Sequence, residues 1–253
     1  MNILMFSMTP LFPDRAMGGA QIQLKKVARH LGALGHEVTI LCTRKDASMI
    51  PFNWDDTVRI VPVLRFKQPY PEPYATPVYN IAAAVQDVGA YLLKADRFYS
   101  HDGGLIFPFV YQTGAVPTVI SLRSILFAET LQSAYLFQGD ALILPSEHTR
   151  RSYIHTAGRF FPGFAERAVA VHNGLDFTVF RPTEPDRIRA LIPVDTAQHR
   201  CLLFPHRPDT TKGVLEAIGV LDVLVNRRGM TDVRLLMPRW LADAAGPEVR
   251  AFY

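Results

Sequence analysis

The first forty or so residues follow a strand–helix–strand pattern, and this pattern constrains the fold more than any other feature. Residues 2–8 form a continuous apolar run that is typical of a buried parallel strand. After a loop that ends in Gly18 and Gly19, apolar residues recur at helical spacing up to Leu34, with Gln21 on the opposite, polar face. Residues 37–42 form the next apolar run. Together they predict a βαβ unit, and therefore a parallel sheet.

The same alternation continues through the first two thirds of the chain. Further apolar runs predict strands at 58–64, 97–100, 118–122, 141–144 and 168–171, and helical spacing predicts helices at 77–94 and 146–154. A series of strands and helices in this order is typical of a doubly wound α/β domain. We assign it to residues 1–182.

The remainder of the sequence predicts a second, smaller lobe. A polar, proline-containing stretch up to His199 marks the boundary between the two lobes. Residues 183–253 then supply two strands, at 200–205 and 232–237, and one helix, at 214–226. Two strands and one helix rarely bury enough surface to be stable alone. We therefore expect an incomplete second lobe, with the chain stopping inside its second domain.

Composition and charge narrow the class of protein. The 253 residues are 49% apolar, which supports a sizeable core, and 27 basic against 23 acidic side chains give a net charge of +4. This charge can simply keep the surface soluble. The more specific interpretation is that it binds an anionic ligand or an acidic membrane face. No long block of Lys or Arg occurs, so a nucleic acid partner is not expected.

The expected location is the cytoplasm, with a peripheral contact at the inner membrane face. Cys42 and Cys201 lie far apart without C-x-x-C spacing, which predicts buried free thiols in a reducing compartment. No secretory signal pattern and no run of about 18 apolar residues occurs in the sequence.

Several polar residues follow the carboxyl ends of the predicted strands, which is where open α/β sheets bind ligands. They are Gly18 and Gly19, His101 and Asp102, Arg123, Ser146, Asn173, and, in the second lobe, His206 and Arg207. Arg207 and Lys212 flank the turn before the predicted helix of that lobe. The remaining histidines lack the spacing of metal ligands, so no metal site is predicted. Neither a G-x-S-x-G elbow nor a P-loop motif occurs in the sequence.

Each candidate has a chemical interpretation and a structural one. Glycines at a helix start let a phosphate approach the backbone, although a simple turn would also explain Gly18 and Gly19. Arg207 and Lys212 before a helix suit a diphosphate, although a solvated basic pair would look the same. His101 is suited to binding a sugar hydroxyl or moving a proton, although the surrounding loop could satisfy it instead.

Four motifs, taken in their order and spacing, resemble one known family. They are GGAQxxLxxxAxxLxxLGHEV at 18–38, AxxLxS at 141–146, HNGLDxxxFxP at 172–182 and HRPxxxKG at 206–213. This set is similar to the retaining GT-B glycosyltransferases, the large family that includes bacterial mannosyl- and N-acetylglucosaminyl-transferases.

The resemblance implies two Rossmann-like lobes, an acceptor-binding first lobe and a second lobe that binds a nucleotide-sugar. It implies transfer with retained configuration, no cofactor beyond the nucleotide-diphosphate sugar donor, and no metal, since basic residues and helix dipoles neutralise the leaving group. The acceptor would be a saccharide, a lipid or a small molecule.

By position, the resemblance also gives each candidate residue a role. Gly18 and Gly19 would touch the donor diphosphate, and Arg207 and Lys212 would clamp it from the second lobe. His101 is the catalytic candidate. Asp102, Arg123, Ser146 and Asn173 would border the sugar and the acceptor.

The sequence departs from the family pattern in two places. Arg123 stands where the family usually has a histidine, and it suits a phosphate or an acidic acceptor instead. The E-x₇-E carboxylates that hold the donor would lie beyond Tyr253, so we expect weak donor binding and an inactive chain by itself. Two alternatives stay open: a non-catalytic saccharide- or nucleotide-binding remnant, and a GT-B sugar-nucleotide epimerase.

Overall fold

A computed structural model describes residues 1–16, 18–66, 78–102, 116–123, 139–206, 208 and 212–238. The chain divides into two compact units, Met1–Gly174 and Leu175–Tyr253. The first contains an eight-stranded sheet and the second a two-stranded sheet. The boundary assigned to residue 182 stays a prediction.

The first unit alternates strands and helices as the sequence predicts. Its elements are β1 (Asn2–Ser7), α1 (Gly19–Ala33), β2 (Glu37–Thr43), β3 (Phe52–Asp55), β4 (Val58–Leu64), α2 (Val78–Leu92), β5 (Arg97–His101), β6 (Thr118–Ser121), β7 (Ala141–Leu144), α3 (Glu147–His155), a 3₁₀ turn (Ala157–Arg159), α4 (Phe164–Arg167) and β8 (Ala168–Ala170). The strand order is β3-β4-β2-β1-β5-β6-β7-β8.

Strand pairing is parallel throughout this sheet apart from its first edge. β1 pairs in parallel with β2 and β5, which confirms the predicted parallel, doubly wound sheet. β3 is antiparallel to β4 and is an edge strand that the sequence pattern did not predict. The chain runs outward from β1 to β2 and later returns to place β5 on the other side of β1. This reversal puts a topological switch point between β1 and β5.

Two apolar layers cover the sheet, one on each face. Ile3 and Met5 pack with Leu24 of α1 in one buried cluster. Leu4 and Phe6 pack in the other cluster, which includes residues of α2. Because successive side chains of a strand point to opposite faces, a strand buried on both sides must be apolar at every position. This explains the continuous apolar run of β1.

The two cysteines differ in their surroundings, and both are free thiols. Cys42 is buried as predicted, whereas Cys201 is only half-buried. Burial raises the pKa of the Cys42 thiol to about 12, against a smaller opposing effect of its hydrogen bond with the Leu11 backbone. We expect a thiol reagent at neutral pH to label Cys201 in the folded chain and Cys42 only after denaturation. Mass spectrometry of the labelled peptides measures this; labelling of Cys42 in the folded state would contradict it.

The second unit is built around a short βαβ motif. It contains α5 (Asp186–Arg189), β9 (Arg200–Leu203), α6 (Val214–Asp222), a π-helical segment (Val223–Arg227) and β10 (Val233–Leu236). β9 and β10 pair in parallel, and α6 connects them. Within the described ranges, no helix has the length and hydropathy needed to cross a bilayer.

Candidate functional site

The switch point brings together the start of α1 and the end of β5. Ser7 at the end of β1 lies in register with His101 at the end of β5. The loop after β1 leads into α1, and His101 Nε2 lies 2.7 Å from the backbone oxygen of Ala20 in the first turn of that helix. The structure therefore places Gly18, Gly19 and His101 in one region, at the sheet edge where ligands bind in this class of fold.

No side chain of the described residues caps the start of α1. Gly18 is the N-cap residue, and the first intrahelical bond runs from the Ile22 amide to the Gly18 carbonyl at 3.2 Å. Gly18 receives no side-chain cap, and the first turn contains no acidic residue. A Cβ added at Gly18 or Gly19 would meet no atom of the described residues within 4 Å. Packing of the described residues therefore does not require glycine at either position.

The loop that precedes α1 is held by side chains that the sequence analysis did not identify. Gln21 is 7% exposed, so it is buried rather than on the polar face of the helix as predicted. Its Nε2 donates to Thr9 Oγ1 at 3.0 Å and to the Pro10 carbonyl at 2.9 Å. Trp54 Nε1 donates to the Phe12 carbonyl at 3.0 Å. These bonds hold the loop in place next to the start of α1.

His101 is a neutral, internally bonded histidine. It is 2% exposed, and its Nδ1 lies 3.1 Å from the Tyr99 hydroxyl. Because a carbonyl only accepts, Nε2 carries the proton and donates to Ala20, and Nδ1 accepts from Tyr99. Burial lowers the pKa of His101 to about 4; the Arg123 charge acts in the same direction, and the bond to the Ala20 carbonyl opposes it. The Nε2 bond joins α1 to β5, and the Nδ1 bond to Tyr99 lies within β5.

Asp102 turns the chain at the end of β5. Its φ of 62° lies in the left-handed region, which is uncommon for a residue other than glycine. Its amide donates to the Ser121 carbonyl at 2.7 Å and so extends the pairing between β5 and β6. Left-handed backbone at such a position is typical of functional sites in folded proteins.

Two predicted residues on the other side of the site contact each other. Arg123 Nη1 donates to Asn173 Oδ1 at 3.1 Å, although the two residues lie 50 positions apart. This bond joins the segments that follow β6 and β8, the strands on either side of β7. Ser146, which follows β7, instead caps α3, because its Oγ accepts from the Thr149 amide at 3.1 Å.

Lys212 is exposed at the start of the second unit's main helix. It precedes Gly213, the N-cap of α6, whose φ of 79° is left-handed. Glu216 lies in the first turn of that helix. Arg207 lies outside the described residues. Among the described residues, no group of three or more His, Cys, Asp or Glu side chains is arranged to hold a metal ion.

Solved structures of other proteins have a fold similar to that of this chain. Sucrose-phosphate synthase from Thermosynechococcus elongatus is similar with a TM-score of 0.67 and 15% identity, over 99% of this chain and 66% of that chain. The catalytic domain of starch synthase IV from Arabidopsis thaliana, bound to ADP and acarbose, has a TM-score of 0.62 and 10% identity, over 99% and 70%. Anabaena HepE in complex with UDP has a TM-score of 0.60 and 16% identity, over 94% and 69%.

These similarities confirm the predicted α/β fold of the GT-B type. The chain spans about two thirds of the length of the solved structures it resembles. No curated protein matches it by sequence. The model of Glycosyltransferase Family 4 matches residues 17–179, which is well over half of the sequence and includes the open helix start, His101 and Arg123. The chain therefore belongs to Glycosyltransferase Family 4.

Proposed function

We propose that the chain is the larger part of a glycosyltransferase that moves a sugar from a nucleoside-diphosphate sugar to an acceptor, with retained configuration and without a metal ion. The observation that carries this proposal is the open, uncapped start of α1 at Gly18 and Gly19, fixed by His101 at the switch point of the sheet. The UDP and ADP in two of the similar structures support a nucleotide donor.

The start of α1 supplies the chemistry that a leaving diphosphate needs. The first-turn amides lie before any intrahelical acceptor, and the helix dipole adds a positive partial charge there. Glycine at both positions lets phosphate oxygens come close to these amides. Arg207 and Lys212 are cationic candidates for the same leaving group, by the resemblance of their motif. Together these groups would stabilise the charge that grows on the diphosphate in the transition state, without a metal.

In this proposal His101 is a positioning residue rather than a group that touches the reacting atoms. Its Nε2–H holds the first turn of α1, and its Nδ1 is held by Tyr99. A neutral imidazole is suited to this role because it offers one donor and one acceptor at once.

The reaction requires a balanced exchange at one carbon of the donor sugar. The bond from the anomeric carbon to the diphosphate oxygen breaks, and a bond from the same carbon to the acceptor oxygen forms on the same face. The acceptor hydroxyl gives its proton to an oxygen of the leaving diphosphate. The protein's part is to hold the diphosphate and to orient the acceptor.

A panel of UDP-, GDP- and ADP-sugars tests the proposal. Calorimetry in EDTA gives the preferred donor, and proton NMR of the product gives its anomeric configuration. For the complete enzyme we expect release of nucleoside diphosphate with retained configuration. Binding without release would support a non-catalytic remnant, conversion into another nucleotide-sugar would support an epimerase, and activity lost in EDTA would contradict metal independence.

The Gly19→Ala variant distinguishes an effect on nucleotide binding from an effect on the stability of the fold. The added Cβ meets no described atom, and alanine favours a helix over glycine by about 1 kcal/mol, so urea unfolding should show equal or higher stability. The same Cβ lies where we place the diphosphate, so calorimetry should show nucleotide binding weakened by about tenfold, equivalent to about 1.4 kcal/mol.

Gly89 provides the matched control. It lies in α2, and a Cβ there also meets no described atom within 4 Å. Gly89→Ala should raise stability in the same way and leave nucleotide binding unchanged. Equal binding by both alanine variants would remove the start of α1 from the donor site.

A further inference from the structure

One guanidinium nitrogen of Arg123, at the carboxyl end of the sheet, is buried without a hydrogen-bond partner among the described residues. This nitrogen is Nε. The Nη1 of Arg123 is occupied by Asn173 Oδ1 at 3.1 Å. The Nε–H and the adjacent Nη2–H form the side-on fork of a guanidinium, which matches two oxygens of a carboxylate or a phosphate.

Arg123 takes part in no ion pair within the described part of the chain. Its positive charge is felt at His101, where it helps to lower the pKa. Since His101 is neutral, it does not offset that charge. A buried guanidinium nitrogen that lacks a partner is costly, and an oxyanion on the fork would relieve that cost.

Arg123 and the place assigned to the donor diphosphate follow different strands of the sheet. The diphosphate is assigned to the start of α1, which follows β1, whereas Arg123 follows β6. β6 is two strands from β1, so the two strand ends are about 10 Å apart at ordinary strand spacing. Asn173, which orients the guanidinium, follows β8 and lies farther still from β1.

We propose that Arg123 binds an oxyanion carried by the acceptor, so that this enzyme glycosylates a small molecule bearing a phosphate or a carboxylate group. This inference rests on the proposed function, because it assigns the acceptor of that reaction. Asn173 is the positioning residue, because it occupies Nη1 and leaves Nε without a partner among the described residues. A site built for an oxyanion selects strongly against the neutral analogue, since a neutral acceptor would leave the guanidinium without its partner.

Binding to the full 253-residue chain tests the proposal. The probes for calorimetry are inorganic phosphate, glucose 6-phosphate, glucuronate and glucose at constant ionic strength. We expect saturable binding of one or more charged probes and at least tenfold weaker binding of glucose. The phosphate and glucuronate arms distinguish the two oxyanion groups. Arg123→Gln should abolish the charged binding, and Arg123→Lys should weaken it by about tenfold because an ammonium lacks the fork.

The His101 ring reports on the same site without any turnover. An oxyanion on Arg123 cancels part of its positive charge, so NMR titration of His101 should show a higher pKa when phosphate is bound. In Arg123→Gln the pKa of His101 should already be higher and should no longer respond to phosphate. Arg59→Gln, an exposed arginine on β4 at the amino end of the sheet, is the matched control and should behave as the unchanged chain.

Three results would overturn the proposal: glucose binding as tightly as the charged probes, phosphate binding that persists in Arg123→Gln, or UDP and ADP binding that is lost in Arg123→Gln and competes with phosphate. The last would assign Arg123 to the donor. Failure of the proposed function gives a different result. If the complete enzyme neither binds a nucleotide-sugar nor transfers its sugar, while phosphate binding is still lost in Arg123→Gln, the oxyanion site is supported and the transferase is excluded.

Discussion

Acidification from about pH 7 to about pH 4 is expected to lower the free energy of unfolding by about 3 kcal/mol through His101 alone. The pKa of His101 is lowered from 6.5 to about 4 in the folded chain, chiefly by burial. Between these values the unfolded chain binds a proton that the folded chain does not, so stability falls as the pH falls through this window. Above about pH 6.5 both states are neutral and the contribution is constant. Each unit of pKa difference corresponds to about 1.4 kcal/mol.

Urea unfolding across this pH range, in the unchanged chain and in His101→Gln, measures the effect. A glutamine amide can still donate to the Ala20 carbonyl but does not titrate, so the variant should lose the His101 share of the pH dependence. His155→Gln replaces an exposed histidine at the end of α3 and is the control. Parallel pH profiles for all three proteins would show that His101 is not held neutral by burial.

Periodicity predicted the main elements because both faces of the sheet are covered. A strand such as β1, buried against α1 on one face and α2 on the other, must be apolar throughout, and its apolar run is visible in the sequence. A helix that covers such a sheet must show a stripe at helical spacing, as α1 does with Leu24 and Ala28. In these elements the buried positions can therefore be identified from the pattern of apolar residues.

The missed elements are those whose formation depends on contacts far along the chain. β3 has only four residues, of which Asn53 and Asp55 are polar, and it exists because β4 offers it an edge. Because Gln21 is polar, periodicity predicts it on the exposed face of α1. Its burial depends on the Thr9–Pro10 loop folding back over it, a contact that helical periodicity does not include.

The candidate site, like the fold, was predicted only in part from the sequence. The rule that ligands bind at the carboxyl ends of strands predicted the neighbourhood of Gly18, Gly19 and His101. It did not predict that both nitrogens of His101 have internal partners, or that Arg123 reaches Asn173. Such partners are set by the strand order, which brings residues from distant parts of the sequence together.

In the complete enzyme, Arg207→Ala and Lys212→Ala are each expected to lower kcat/KM for sugar transfer by about 100-fold, equivalent to about 3 kcal/mol of lost transition-state stabilisation. The charge on the departing diphosphate grows as the bond to the sugar breaks, so a cationic partner matters more in the transition state than in the bound donor. Lys212 is exposed and precedes the left-handed Gly213 at the start of α6.

Steady-state kinetics with the preferred donor in EDTA measure this loss, and the control is Arg228→Ala. Arg228 is an exposed basic residue of the same unit, just after the π-helical segment, so its removal changes the net charge equally. That variant should keep kcat/KM within about twofold, since surface charges distant from the diphosphate are screened by salt. A fall in kcat in the two site variants, rather than a rise in KM alone, would show that the charges act on the transition state. Unchanged kcat/KM in both would exclude them from the donor site and leave the start of α1 as the proposed source of stabilisation for the leaving group.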